Sequence, residues 1–168
     1  MDVPARTQAL AVAWLLRRGV KREDIAALVL DLQRGFVPGL TIEMCLESVD
    51  AALEKREVCN ALLTGIALDE LAERGLLPEP LQGMVFGDDH LYGIDEVMAL
   101  SIVNIYGSIG LTNFGYLDKL KPGIVGVTDH GGHDGVHCNT YLDDLVSAVA
   151  AAAAARIAHR DRDLRGSL

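Results

Sequence analysis

The chain has 168 residues, enough for one domain with a sizeable core and too few for two comfortable domains. Its composition, 50% hydrophobic and 23% charged, is that of a folded globular protein, and 24 acidic against 15 basic residues give a net charge of −9. This charge repels nucleic acids and anionic membrane surfaces, which argues against a nucleic-acid-binding function.

Helices dominate the predicted structure, because alanine and leucine are abundant and runs of β-branched residues are scarce. The first predicted helix begins after Asp2, a candidate N-cap, and stops at Gly19, and the second stops at Gly35. The longest periodic stretch runs from Thr41 to about Gly75 and predicts a third helix. We find neither a strand alternation nor an internal repeat in the sequence.

Arg56 and Asn60 interrupt the apolar face of the third predicted helix. A polar pair on an apolar face must find partners or be costly, so we predict that Arg56 contacts carboxylates elsewhere and binds a substrate phosphate. The alternative is that the helix is exposed here, with Arg56 paired to a structural glutamate. An acidic series on the same helix is expected to be solvated: Glu43, Glu47, Asp50, Glu54 and Glu57.

The second half of the chain contains an apolar helix followed by glycine-rich segments. Residues 94–107 carry hydrophobic side chains on every side, which predicts a central buried helix. A short helix is expected between Gly107 and Pro122, since proline ends it. Residues 121–139 contain five glycines and three histidines, and we expect them to form a long irregular connection.

The last predicted helix begins near Asn139 and runs through an alanine-rich body to about His159. Residues 161–168 form a charged tail that we expect to be disordered. The sequence thus predicts an all-α fold: a single-domain multihelical bundle, residues 1–160, around the central buried helix.

The cysteines and the apolar stretches bear on the cellular compartment. Cys45, Cys59 and Cys138 form no C-x-x-C pair, and the chain does not begin with a secretory signal, so we expect free thiols in the cytoplasm. The two most apolar stretches, from Val97 and from Leu145, are both interrupted by polar residues. We therefore predict no membrane span.

Two of the predicted helices open with adjacent acidic residues, Asp95 with Glu96 and Asp143 with Asp144. Carboxylates at a helix N-terminus interact favourably with the helix dipole, and Thr140 and Asp143 are spaced like a capping box. Capping explains one acid per helix but not its neighbour, because adjacent residues project about 100° apart. On a helix buried all round, both side chains cannot reach water.

Buried carboxylates need a cation beside them, since an isolated charge in the interior is costly or is lost by protonation. Two facing pairs would repel each other unless a metal ion lay between them. Oxygen ligands of this kind suit Mg²⁺, or Mn²⁺ in its place, better than zinc. We therefore predict a magnesium site formed by Asp95, Glu96, Asp143 and Asp144.

Several segments resemble, in the same order, those of the phosphatidylglycerophosphatase A family. "LYGIDEVMALSIVN" is similar to the segment in which an Asp-Glu pair opens a hydrophobic helix. "FGYLDKLKPG", "HGG" and "YLDDLVSAVAAA" are similar to the later Lys-Pro, Gly-rich and Asp-Asp segments. This resemblance covers residues 88–156, and the whole chain resembles the soluble branch of the family found in Gram-positive bacteria, an all-helical bundle.

The resemblance implies a Mg²⁺-dependent phosphatase that converts phosphatidylglycerophosphate to phosphatidylglycerol. Asp95, Glu96 and Asp143 are the predicted catalytic residues, and Lys121, at the Lys-Pro position, is predicted to contact the phosphate. The substrate would be an anionic phospholipid or another phosphate ester. A cytoplasmic chain without predicted spans would reach a lipid by peripheral contact with the inner face of the membrane, and its alanine-rich last helix is compatible with a homo-oligomer.

Other interpretations stay open. His130, His133 and His137, with Cys138, have spacings that a zinc or iron ion could use, or they belong to a solvated loop. Ser108 or Cys138 could act as a nucleophile, although neither lies in a recognisable motif. The chain could also be a phosphatase for a soluble ester, or a metal-binding, regulatory or scaffold domain without phosphatase activity.

Overall fold

The computed structural model describes the backbone of residues 3–166 and the side chains of residues 6–163. In this part of the chain the regular structure is entirely helical, which confirms the predicted all-α fold. Asp2, the predicted N-cap of the first helix, lies outside the described residues. The α-helices are α1 (Val3–Arg17), α2 (Arg22–Gln33), α3 (Ile42–Leu53), α4 (Arg56–Glu73), α5 (Leu81–Phe86), α6 (Ile94–Val103), α7 (Gly107–Leu120), α8 (Ile124–Gly131) and α9 (Leu142–Gly166), and a 3-10 turn, Asn104–Tyr106, joins α6 to α7.

Helix α9, rather than residues 94–107, forms the centre of the fold. Residues 141–155 are all buried, and α9 packs against α2, α3, α4, α6, α7 and α8. Alanine favours the helix, and its small side chain lets neighbouring helices approach closely. At Gly65 of α4 the approach is so close that a Cβ atom would lie 2.4 Å from Cδ1 of Leu145. The predicted central helix, in contrast, has an exposed face, on which Val97 is 58% exposed.

The predicted third helix is two helices, α3 and α4, which meet at Lys55. Lys55 is extended (φ −77°, ψ 125°), and the thiol of Cys59 donates a hydrogen bond of 2.9 Å to the carbonyl of Leu53 near the break. The change of direction lets the apolar residues of both helices face the core. One straight helix would have carried Arg56 and Asn60 inward, whereas both are exposed.

Glycine and proline mark several helix ends as predicted, since α1 ends before Gly19 (φ +82°) and α7 ends before Pro122. Two other predictions are wrong. Residues 121–139 contain helix α8, which is short but stabilised by packing against α9. Helix α9 also continues past its predicted end at His159 and includes residues 161–166 of the tail that we expected to be disordered, because arginine is a good helix former. Residues 167–168 lie outside the described residues.

The predicted free thiols are confirmed, since Cys45, Cys59 and Cys138 are buried and unpaired. One helical stretch, residues 94–120, is long and apolar enough to cross a membrane by length and composition. A straight helix of its 27 residues would be about 40 Å long. Here the chain turns at Gly107 (φ +70°), and α6 and α7 pack against each other. In this fold the stretch is two helices joined by a turn.

Candidate functional site

The two acidic pairs meet where α6 and α9 begin. Asp95, Glu96 and Asp144 each place a carboxylate oxygen within 4.8 Å of the others. Asp95 is 7% exposed, Asp143 is 6% exposed and Asp144 is 4% exposed. The fold therefore brings together the carboxylates that the sequence places at the starts of two separate helices. It buries three of them and leaves Glu96 partly exposed.

These side chains line a cavity of about 290 Å³, which also contains His90 and His133. Among the residues that the structure describes, Lys121 is the only lysine or arginine that lines this acidic cavity. The carboxyl groups that surround it are Asp88, Asp89, Asp95, Glu96, Asp118, Asp129, Asp143 and Asp144. The negative charge of the cavity is therefore far from balanced by the protein itself.

Burial is the main cause of the raised pKa values in the acidic cavity. Burial and the charge of Asp143 raise the pKa of Asp144 to about 9. Burial and a hydrogen bond with Glu96 raise the pKa of Asp95 to about 7. Burial also raises the pKa of Asp143 to about 6, although Lys121 opposes the shift. With no added cation, the cavity would therefore hold protons at neutral pH.

One carboxylate oxygen in the acidic cavity is buried without a partner. Oε2 of Glu96 has no hydrogen-bond partner among the described residues, and a carboxylate oxygen of Glu96 lies within 4.8 Å of oxygens of Asp95 and Asp144. A buried polar atom of this kind is costly unless a ligand satisfies it. Three converging carboxylates are the hard oxygen donors that Mg²⁺ and Mn²⁺ prefer. The residues therefore fit a hard divalent cation.

Capping does not explain the acidic pair of α9, because a residue of another helix caps α9. Asp69, buried in α4, accepts hydrogen bonds from the backbone N–H groups of Tyr141 at 3.1 Å and Leu142 at 3.0 Å. A carboxyl group from α4 therefore already satisfies free N–H groups at this helix start. Asp143 and Asp144 are not needed for that purpose.

Further polar contacts hold the segment that leads into α9. Arg18 donates hydrogen bonds of 2.6 Å to the carbonyl of Cys138 and to Oδ1 of Asn139, and it lies 2.7 Å from Glu73. Glu73 in turn accepts a hydrogen bond of 2.9 Å from the N–H of Cys138. We call Arg18, Asp69 and Glu73 the anchor network, since together they position the first turn of α9.

Lys121 lies inside the acidic cavity. Its Nζ atom is 2.6 Å from Asp143, 3.2 Å from Asp118 and 3.6 Å from Asp129. Burial alone would lower the pKa of Lys121, but the charge of Asp143 and its hydrogen bond outweigh burial and raise it. The side chain therefore keeps its positive charge. Lys121, which we predicted to contact the substrate phosphate, thus lies in the same cavity as the acidic pairs.

Two residues that line the acidic cavity have a left-handed backbone. The φ angle is +47° at Lys121 and +49° at Asp88. This conformation is uncommon for residues other than glycine and costs on the order of 1 kcal/mol. Such strained positions cluster at functional sites, where the surrounding structure holds them in place. The acidic cavity therefore combines an unusual backbone conformation at two lining residues with an excess of negative charge.

Arg56 lies elsewhere. Its side chain is 74% exposed at the start of α4 and lies 3.5 Å from Glu57. The predicted contact between Arg56 and the carboxylates of the site is wrong, because the break before α4 turns the residue outward. The alternative, an exposed arginine paired with a glutamate, is confirmed, and the position of Arg56 does not support a role in phosphate binding.

The histidines near α8 do not converge on a second metal site. His130 and His137 are exposed, and of the three only His133 lines the acidic cavity. In residues 6–163, the acidic trio at the starts of α6 and α9 is the one group found with metal-binding spacing. Burial raises the pKa of Cys138 to about 11, which keeps the thiol protonated, and Ser108 is exposed in the first turn of α7. Neither position suits an activated nucleophile.

Sequence comparison relates the chain to a known family. The model of the phosphatidylglycerophosphatase A family matches residues 10–159. The uncharacterized protein YpjQ of Bacillus subtilis is 58% identical over 151 residues, which cover 90% of this chain and 84% of YpjQ. The uncharacterized protein YutG of the same bacterium is 54% identical over 159 residues, which cover 94% of each chain.

Solved structures of related proteins have the same fold. The crystal structure of YpjQ superposes with a TM-score of 0.90 and 52% identity, over 97% of this chain and 99% of that one. The low temperature requirement C protein from Listeria monocytogenes superposes with a TM-score of 0.88 and 54% identity, over 92% of this chain and 96% of that one. The single-domain helical architecture is therefore shared with these proteins.

Proposed function

The chain belongs to the phosphatidylglycerophosphatase A family, and on this premise we propose that it is a metal-dependent phosphatase that acts on phosphatidylglycerophosphate. The products would be phosphatidylglycerol and inorganic phosphate. The proposal depends most on one observation: the carboxylates of Asp95, Glu96 and Asp144 converge, and one buried oxygen of Glu96 lacks a partner among the described residues. The proposed cofactor is Mg²⁺, with Mn²⁺ as its surrogate.

Asp95, Glu96 and Asp144 would hold the ion, with Asp143 beside them. Bound Mg²⁺ supplies positive charge that attracts the phosphate, stabilises the transition state and activates water. The carboxylates bind a cation in their ionised form, so metal binding would release the protons that burial retains. Without a bound cation, a cavity with so many carboxylates would repel a phosphate dianion, since the carboxylates and the phosphate are both negatively charged.

Lys121 and Asp143 are the proposed groups that handle the phosphate and the proton. Lys121 would donate a hydrogen bond to a phosphate oxygen, and Asp143, with a pKa of about 6, would accept a proton from the attacking water. The water oxygen bonds to phosphorus as the bond between phosphorus and the ester oxygen breaks. The leaving alkoxide then takes up a proton and departs as the alcohol.

Exposed apolar residues beside the acidic cavity favour a lipid over a soluble phosphate ester. Leu91 and Ile94, which precede Asp95, are 94% and 49% exposed, and Leu120, which precedes Lys121, is 58% exposed. Apolar residues at the rim of a charged cavity could contact acyl chains while the head group enters. We propose that the protein is cytoplasmic and contacts the inner face of the membrane peripherally. We also propose that it can form a homo-oligomer.

Hydrolysis of phosphatidylglycerophosphate in mixed micelles, with and without Mg²⁺, tests the proposal. We expect phosphate release only with the ion, and we expect Asp95→Asn to lower kcat/KM by about 10³-fold with an unchanged helical CD spectrum. The matched control is Glu23→Gln, which removes an exposed acid from the first turn of α2 and should leave kcat/KM unchanged. Equal rates for Asp95→Asn and the wild type would refute the site. If soluble phosphate esters were hydrolysed faster than the lipid, the substrate would be a soluble ester and not a lipid.

A further inference from the structure

The acidic cavity has two halves that differ in how their charge is compensated. The lysine half consists of Lys121, Asp118, Asp129 and Asp143. The metal half consists of Asp95, Glu96 and Asp144. In the lysine half an ammonium group lies within 3.6 Å of every carboxylate. In the metal half, Oε2 of Glu96 is buried with no partner among the described residues.

We propose that Lys121 is a built-in counter-ion that limits the acidic cavity to one divalent cation, bound in the metal half. This inference rests on the proposed function, since it takes the metal half as the site of the catalytic ion. It adds the number of ions and the residue that sets this number. In phosphatases with two metal ions, the second ion helps to neutralise the phosphate. Here the ammonium of Lys121 would do so.

The distances explain why an ion and Lys121 exclude each other from the lysine half. Nζ of Lys121 is 2.6 Å from Oδ2 of Asp143, a charge-assisted hydrogen bond. A divalent ion that used the same oxygen would lie about 2.0–2.6 Å from it. The two cations would then overlap or repel each other strongly in a poorly solvated cavity. The lysine half therefore has its cation already.

The backbone of Lys121 is held in an uncommon conformation by its neighbours. Lys121 has a left-handed backbone, with φ +47°, and Pro122 follows it. Gly126 packs so closely against the carbonyl of Lys121 that a Cβ atom there would lie 2.4 Å from the oxygen. Any other residue at Gly126 would force that contact to change. The position of Lys121 is thus constrained from both sides, unlike that of a lysine on an open surface.

The number of Mn²⁺ ions bound per chain, measured from the EPR signal of free Mn²⁺ during titration of the full chain, tests the proposal. We expect one ion for the wild type and two for Lys121→Met, which keeps the length of the side chain and removes its charge. Lys121→Arg should restore one ion. The matched control is Lys119→Met, which removes an exposed charge from the same turn of α7 and should also bind one.

A second pair of variants tests the two halves separately if Lys121→Met does not fold. Asp129→Asn should bind one Mn²⁺ with the affinity of the wild type, whereas Asp144→Asn should weaken binding by about tenfold or more. Three results would overturn this inference without affecting the proposed function: two ions bound to the wild type, one ion bound to folded Lys121→Met, or equal losses of Mn²⁺ affinity in Asp129→Asn and Asp144→Asn. A wild type that binds none would overturn the proposed function, and this inference with it.

Discussion

Two groups of charged residues lie on either side of the start of α9, and they differ in how fully their charges are paired. In the anchor network, Arg18 contacts Glu73, and Asp69 accepts two backbone hydrogen bonds from the first residues of α9. In the acidic cavity, carboxylates from five parts of the chain line the same space as the single ammonium of Lys121. The first group is complete without a ligand, whereas the second is not.

The comparison shows why burial alone does not identify a functional site. Buried polar groups that are fully paired hold a fold together, and their removal leaves partners unsatisfied. Buried groups of like charge oppose folding, so a protein that keeps them has another use for them. Mutations in the two groups should therefore change stability in opposite directions.

The largest effect is expected at Asp69. Asp69→Ala would leave the N–H groups of Tyr141 and Leu142 buried without an acceptor, so the free energy of unfolding should fall by about 3 kcal/mol. Urea denaturation measures this loss. Asp50→Ala, which breaks an exposed pair with Arg22, is the control and should cost less than about 1 kcal/mol. Equal losses of unfolding free energy in the two variants would show that Asp69 contributes no more to stability than a surface carboxylate does.

At Asp144 the sign should reverse. Asp144→Asn removes a buried carboxylate whose ionisation burial opposes, so the metal-free protein should gain about 1 kcal/mol of stability at pH 8. The variant should also lose the increase in Tm that Mg²⁺ gives the wild type. Urea denaturation and thermal unfolding at one pH measure both effects. A metal-free variant less stable than the wild type would show that Asp144 has a structural role.

The pH dependence of stability should reveal the same group. The unfolded chain releases the proton of Asp144 near the ordinary pKa of 3.8, whereas the metal-free fold keeps it to about pH 9. The unfolded state therefore binds fewer protons in this range, and stability should fall as the pH rises from 6 to 9. Excess Mg²⁺ should stabilise the protein more at pH 8.5 than at pH 6, as measured by Tm. A Mg²⁺ effect that is independent of pH would contradict the assignment.

The smallest effect is expected at Arg56, outside both groups. Arg56→Ala should change the free energy of unfolding by less than about 0.5 kcal/mol, because the side chain is exposed and its ion pair with Glu57 is solvated. Phosphatase activity should be unchanged. A tenfold loss of kcat/KM in Arg56→Ala would instead place this arginine at the site.

Local signals in the sequence predict the fold best where a helix ends. Helices end next to Gly19 and Pro122 in the structure, as the sequence predicts, because the backbone preferences of glycine and proline act on the residue itself and its neighbours. The break at Lys55 has no such signal, since charged residues that favour helices surround it. Helix α8 also escaped prediction, because its stability comes from packing against α9.

The candidate site could be predicted in part. Adjacent acids at the starts of two apolar helices are visible in the sequence, and they led to the prediction of Asp95, Glu96, Asp143 and Asp144 as ligands. Asp118 and Asp129 reach the cavity from α7 and α8 only through the folding of the chain, so no spacing rule links them to the acidic pairs. In the sequence, Asp69 has no feature that separates it from other helix residues. In the structure it caps α9 through Tyr141 and Leu142, which lie 72 and 73 residues further along the chain. Tertiary contacts of this kind have no short-range signal.

The central claim is that the metal half holds a hard divalent cation. Anomalous diffraction from a crystal grown with Mn²⁺, collected at the manganese edge, tests this most directly. We predict a single strong peak bounded by the carboxylates of Asp95, Glu96 and Asp144. No peak there at saturating Mn²⁺, or a peak at the exposed His130 and His137 instead, would contradict the claim.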